Sequence, residues 1–122
     1  MEIDDIEKRI KNKQNKLKKI FKNIDNKKKE LVSDLIYQAS FMSIKLEDLS
    51  KYITENGIKE EYKNGENQFG YKESVEMKMY NTIIKNYTSV IKQLTDLLPE
   101  GEKKNAGEDL LKFIARGSKW II

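Results

Sequence analysis

The stretch EYKNGENQFGYKES, residues 61–74, interrupts a chain that otherwise reads as long helices. Asn64-Gly65 is the preferred pair for a tight two-residue hairpin turn. Tyr62 before it, and Phe69 and Tyr71 after it, supply alternating strand-like positions. The reading is therefore a short β-hairpin-like connector over about residues 57–73, which reverses the chain between two long helices. A two-stranded ribbon is marginal alone, so its aromatics need helix ends or a neighbouring subunit to pack on.

The same stretch tests negative for nucleotide chemistry. Gly65 and Gly70 have the spacing of a phosphate loop, but Tyr71 and Glu73 stand where its Lys and its flanking residues belong. The preceding IKEEYKN is charged, whereas a nucleotide-binding strand is buried and apolar. Glu60, Glu61, Glu66 and Glu73 sit beside lysines in a polar segment, so they read as solvated carboxylates rather than an acid–base pair.

Outward from the connector, the flanking segments have helical periodicity. Leu31, Leu35, Ala39, Met42, Leu46, Leu49 and Ile53 form one stripe, widened by Ile36, Phe41 and Ile44. Asn56-Gly57 marks its end. A helix over 26–56 would be about 46 Å long. Met77, Tyr80, Ile84, Tyr87, Ile91, Leu94 and Leu98 form a second stripe, opened by Ser74 as N-cap and closed by Pro99. The two stripes predict a long antiparallel helical hairpin over residues 25–99. Ile83, Val90 and Leu97 are surplus apolar positions that need a further partner, the first helix for part of the surface and a neighbouring subunit for the rest. This makes Tyr62, Phe69, Tyr71, Tyr80, Ile83, Tyr87 and Val90 the expected oligomer interface.

Residues 1–24 form a third amphipathic segment, with Ile3, Ile6, Ile10, Leu17, Ile20 and Ile24 in steps of three and four. Lys13 fills the one missing apolar position. Residues 8–29 hold Lys8, Arg9, Lys11, Lys13, Lys16, Lys18, Lys19, Lys22, Lys27, Lys28 and Lys29 against one acid, Asp25, for a net charge of +10. The whole chain carries only +4. Such asymmetry points to a polyanion partner, and these eleven residues are the candidate nucleic-acid contacts. A solvated helix face, or the Lys-rich bias of an AT-rich genome, accounts for the same charges.

Residues 100–122 read as a polar linker and a C-terminal tail with a short helix. Leu110, Leu111, Phe113 and Ile114 are its apolar residues, followed by Trp120, Ile121 and Ile122. They either dock on the chain's own core or bind another protein.

Composition excludes several classes of chemistry. The 122 residues hold no Cys and no His, which removes thiolate nucleophiles, disulfides and the commonest general base and metal ligand. No catalytic residue, metal site or cofactor is expected. No apolar run exceeds three residues, so no membrane span or signal-peptide core is expected, and a cytoplasmic location is the default. The fold class expected is all-α, in one domain with three segments, 1–24, 25–99 and 100–122.

FMSIKLEDLSKYITENG (41–57), EYKNGENQFGYKES (61–74) and YNTIIKNYTSVIKQLTDLLP (80–99) resemble one family of bacteriophage terminase small subunits. The family's Ser-Pro at the start of the third helix is Ser74-Val75 here. The resemblance implies a non-enzymatic DNA-packaging protein in the host cytoplasm. It implies three partners: double-stranded viral DNA, further copies of the chain in a ring or related homo-oligomer, and the large subunit that carries ATPase and nuclease. Many such proteins read DNA with a helix-turn-helix. No pair of short helices with a tight Gly turn is visible here. With one Arg in the arm, base readout is sparse, and salt-dependent binding of modest specificity is expected. The rival reading is a helical protein-interaction adaptor of coiled-coil type without DNA binding. A hydrolase or nuclease lacks any supporting constellation.

Overall fold

The structure is a computed structural model that describes residues 3–63, 65 and 69–117. Among these it holds four α-helices and one two-stranded antiparallel sheet, in the order α1 (Ile3–Ile20), α2 (Lys29–Asn56), β1 (Lys59–Lys63), β2 (Phe69–Glu73), α3 (Val75–Leu97) and α4 (Lys103–Gly117). Asn64, Glu66, Trp120, Ile121 and Ile122, all singled out from the sequence, lie outside the described residues.

The punctuation follows local chemistry. After α1 the chain turns, and the Asp25 carboxylate accepts from the Lys27 backbone N–H at 3.1 Å. That cap starts a single 3₁₀ turn at Asn26–Lys28. The long helix therefore begins at Lys29 rather than at 26, and its 28 residues span about 42 Å. Gly57 ends it at φ 81°, donating its N–H to the Ile53 carbonyl at 2.7 Å. That φ is costly for any residue with a Cβ. Ser74 caps α3 by accepting from the Met77 N–H at 3.1 Å. The ribbon pairs Glu60 with Lys72 and Tyr62 with Gly70. Gly70 lies directly under the Tyr62 ring, where a Cβ would meet ring atoms at 2.8–2.9 Å.

α2 is the central element, packed along both α1 and α3, and α4 closes against α1 and α2. One cluster unites Leu17 and Phe21, Leu35, Ile36 and Ala39, Val90, Leu94 and Leu98, and Leu110 and Phe113. The three segments expected from the sequence thus share a single hydrophobic core. Leu17 and Leu94 are fully buried, and each such side chain contributes roughly 1.5–3 kcal/mol. Most of the expected apolar face of α2 is buried, with Leu35, Ile36, Ala39, Ile44 and Leu46 inside; at its start Val32 turns in, whereas Leu31 is 52% exposed. Ser40 and Ser43 lie in the same buried face. The Ser40 hydroxyl donates to the Ile36 carbonyl at 2.8 Å, so it enters the interior satisfied.

Two expectations about interfaces are corrected. Tyr87 and Val90, expected between subunits, are each 6% exposed and lie in the chain's own core. The surplus apolar positions of α3 are covered from within: Ile83 and Leu97 are half-buried against the same cluster. Leu110 and Phe113, candidates for a partner, are likewise buried, at 2% and 5% exposure. The tail helix docks on its own chain because its apolar residues share one face, leaving Leu111 outside at 66%.

Candidate nucleic-acid interface

The basic arm divides into two groups by environment. Arg9 and Lys13 face α2. Arg9 Nη2 lies 3.0 Å from Glu47 Oε2 and 3.0 Å from Asp48 Oδ1. Burial pulls the Arg9 pKa down, but hydrogen bonds to Asp48 and Glu47 outweigh it, and the net shift is upward. Lys13 Nζ sits 2.9 Å from Glu47 Oε1 and 5.3 Å from the centroid of the Phe113 ring. Its side chain is 12% exposed. The gap in the apolar stripe is therefore filled by a lysine stem, with its ammonium held by a carboxylate and an aromatic face. These two residues join α1 to α2 and α4, and their charges are neutralised within the chain.

The other nine, Lys8, Lys11, Lys16, Lys18, Lys19, Lys22, Lys27, Lys28 and Lys29, are all exposed. At 100° per residue, Lys8, Lys11, Lys18 and Lys19 stand roughly 100–180° around α1 from the buried Leu17. The residue that anchors the helix thus sends them to solvent. Beyond α1, Phe21 and Ile24 turn inward while Lys22 stays out. Among the described residues none of these nine has a carboxylate at ion-pair distance.

Two depressions flank α1. One, about 430 Å³, lies between α1 and α4 and is lined by Lys13, Lys16, Lys19, Lys22, Lys112 and Asp109 over a floor of Ile20 and Phe113. The other, about 290 Å³, lies between the end of α1 and the start of α2. It is lined by Lys18, Lys22, Lys29 and Ser33 with Phe21, Ile24, Val32 and Ile36. Lys22 borders both. Asn23 donates to the Glu102 carboxylate and ties the end of α1 to the approach to α4.

Lys112 and Asp109 were not among the residues singled out from sequence. They stand three apart on α4, beside the buried Leu110 and Phe113, so a helical wheel places them at the edge of the docked face. Only the knowledge that α4 packs against α1 turns that edge into a wall of the cleft.

The remaining expected interface residues are spread over the ribbon and α3. Tyr62 and Tyr71 are exposed at 41% and 71%, and Tyr80 and Ile83 are half-buried against the core cluster. The Phe69 side chain lies outside the described part of the structure. Glu61 and Glu73 are exposed, and Glu60 pairs with Lys72 at 3.4 Å. No group of three or more metal-ligating side chains occurs among the described residues. No helix among them is long and apolar enough to cross a membrane.

No family model matches the chain, and neither a curated protein nor a solved structure matches it. The electrostatics of the lysine face therefore stand on their own. Lysine ammoniums are mobile point charges that suit phosphate oxygens and carry little base information.

Proposed function

We propose that the protein is a non-enzymatic nucleic-acid-binding subunit of a viral DNA-packaging terminase, and that the lysine face of α1 grips the phosphate backbone. One observation carries the nucleic-acid part. Nine lysines from one short segment stand exposed and, among the described residues, without ion pairs, while the two basic residues that face inward are both neutralised. Interspersed charges of both signs are the usual pattern of a surface kept for solubility, and this face departs from it. The resemblance of residues 41–57, 61–74 and 80–99 to terminase small subunits supplies the packaging context.

In this reading α2 and α3 form a long antiparallel hairpin that frames the subunit, in the host cytoplasm. Assembly into a ring uses the ribbon, through Tyr62 and Tyr71, and the still accessible parts of Tyr80 and Ile83 on α3. Tyr87 and Val90 are withdrawn from that surface. A large subunit contacting the tail helix meets Leu111 rather than Leu110 or Phe113.

Reversal of four charges, Lys16, Lys18, Lys19 and Lys22 to Glu, tests the interface. Each lost phosphate contact lowers the log–log salt slope by about 0.9, so the variant should lose roughly 3.6 from it. An unchanged affinity and slope would sink the assignment. The helical adaptor reading also has an observation in its favour: Tyr37 and Phe41 stack on the exposed side of α2, with ring centroids 6.4 Å apart. An adaptor without a DNA role would show no affinity for duplex DNA even at low salt.

A further inference from the structure

The cleft between α1 and α4 differs from the rest of the lysine face in shape and in membership. It is concave, its floor is apolar, and its cations come from two elements far apart in sequence. Lys16, Lys19 and Lys22 line it from α1 and its exit, and Lys112 lines it from α4. Lys13 also lines it but is already held by Glu47. Among the described residues Asp109 is the one acid in the lining. Lys16, Lys19, Lys22 and Lys112 make no ion pair among the described residues, with Asp109 or any other acid. The cleft therefore keeps an excess of positive charge over a low-dielectric floor, which strengthens attraction for an anion.

Four cations drawn from α1, its exit and α4 along an open cleft suit a line of negative charges, such as a phosphodiester backbone, better than one small anion. Phe113 is 5% exposed and lies beneath the Lys13 ammonium. It therefore offers no open ring for a base to stack on, and this disfavours a site for a free nucleotide or a splayed single strand.

We infer that the α1–α4 cleft is a discrete seat for the phosphodiester backbone of duplex DNA, with Lys112 of the C-terminal helix as a full phosphate contact and Asp109 as a built-in counterweight. This rests on the nucleic-acid reading above and extends the site beyond the basic N-terminal segment. The docked tail helix then has two faces with separate tasks. Leu110 and Phe113 hold it on the core, and Lys112 completes the seat.

The test compares full-length variants in binding to a short labelled duplex over a salt series. Lys112→Glu should weaken binding roughly tenfold at 0.1 M salt and lower the log–log slope by about 0.9. Lys104→Glu makes the same charge change on the same helix, but Lys104 lines a different groove, against Ile91 and Thr95 of α3. It should change affinity by less than about threefold, as expected for a charge that meets no phosphate. Asp109→Asn should tighten binding. Lys112→Gln guards against a structural effect of the introduced acid and should reproduce about half of the loss in log affinity. Equal effects of Lys112→Glu and Lys104→Glu, or a silent Asp109→Asn, would overturn the seat. So would binding of inorganic tripolyphosphate that depends on Lys112 while duplex binding does not. Wild-type protein that binds no duplex at all would instead remove the nucleic-acid reading itself.

Discussion

Replacing Phe113 by Ala perturbs the point where three helices meet. The ring is 5% exposed, belongs to the common core and lies 5.3 Å from the Lys13 ammonium. Truncating a buried Phe costs about 3–5 kcal/mol through lost transfer energy and the cavity left behind. Loss of the cation–π contact adds about 0.5–2 kcal/mol. A chain of this length has a total stability of about 6–18 kcal/mol, so the variant should fold but be clearly weakened. Urea unfolding followed by far-UV circular dichroism reads the change. With a slope of about 2 kcal/mol per molar, the midpoint should fall by roughly 1.8–3.5 M. Leu111 is the control, two residues away and 66% exposed. Leu111→Ala should stay within about 0.5 kcal/mol of the parent. Two equal midpoints would refute the reasoning, because they would show that α4 does not share the core.

Two further predictions concern the interior. Glu47→Gln strips the counter-charge from Lys13 and from one arm of Arg9, both partly exposed, and should cost about 1–2 kcal/mol. Combining it with Lys13→Met should restore much of that loss, since it removes the ammonium left without its carboxylate; failure to recover would mean that Lys13 has another essential partner. Burial, only partly opposed by Ser43 and reinforced by the charge of Glu47, pushes the Tyr87 hydroxyl up to about 12. The unfolded chain then releases this proton first, near pH 10. Stability attributable to Tyr87 is intact below that pH and declines by up to about 3 kcal/mol between pH 10 and pH 12. Tyr87→Phe should remove this component from the difference between the two melting curves.

Several helix boundaries were legible because they rest on local chemistry, although α4 starts at Lys103, inside the stretch read as a linker. Ser74, Asp25 and Gly57 satisfy or release nearby backbone groups whatever surrounds them. The ribbon was legible from Tyr62, Phe69 and Tyr71 around a turn signal. Which residue at the start of the α2 face turns inward was not: Leu31 was in the expected stripe and Val32 was not, yet Val32 is the buried one, and the choice depends on how closely the neighbouring helices approach. Small residues such as Ala39, Ser40 and Ser43 permit that approach but carry little hydropathy signal. Lys13 could be recognised as a gap in a stripe. Glu47, which makes that gap tolerable, is 34 positions away and gave no sign of it. The lysine face was readable as charge, but the concave seat that includes Lys112 exists only once α4 is docked. Tyr87 and Val90 read as positions for a neighbouring subunit, but α3 packs along α2, and Ser43 of α2 meets the Tyr87 hydroxyl.

The most direct test of the nucleic-acid reading is the salt dependence of duplex DNA binding by the unaltered protein. With about 0.9 counterion released per phosphate contact, the log–log slope should lie between about −3.6, if Lys16, Lys19, Lys22 and Lys112 act alone, and about −9, if the whole exposed lysine face engages. A slope near zero, or no binding at the lowest salt, would contradict it.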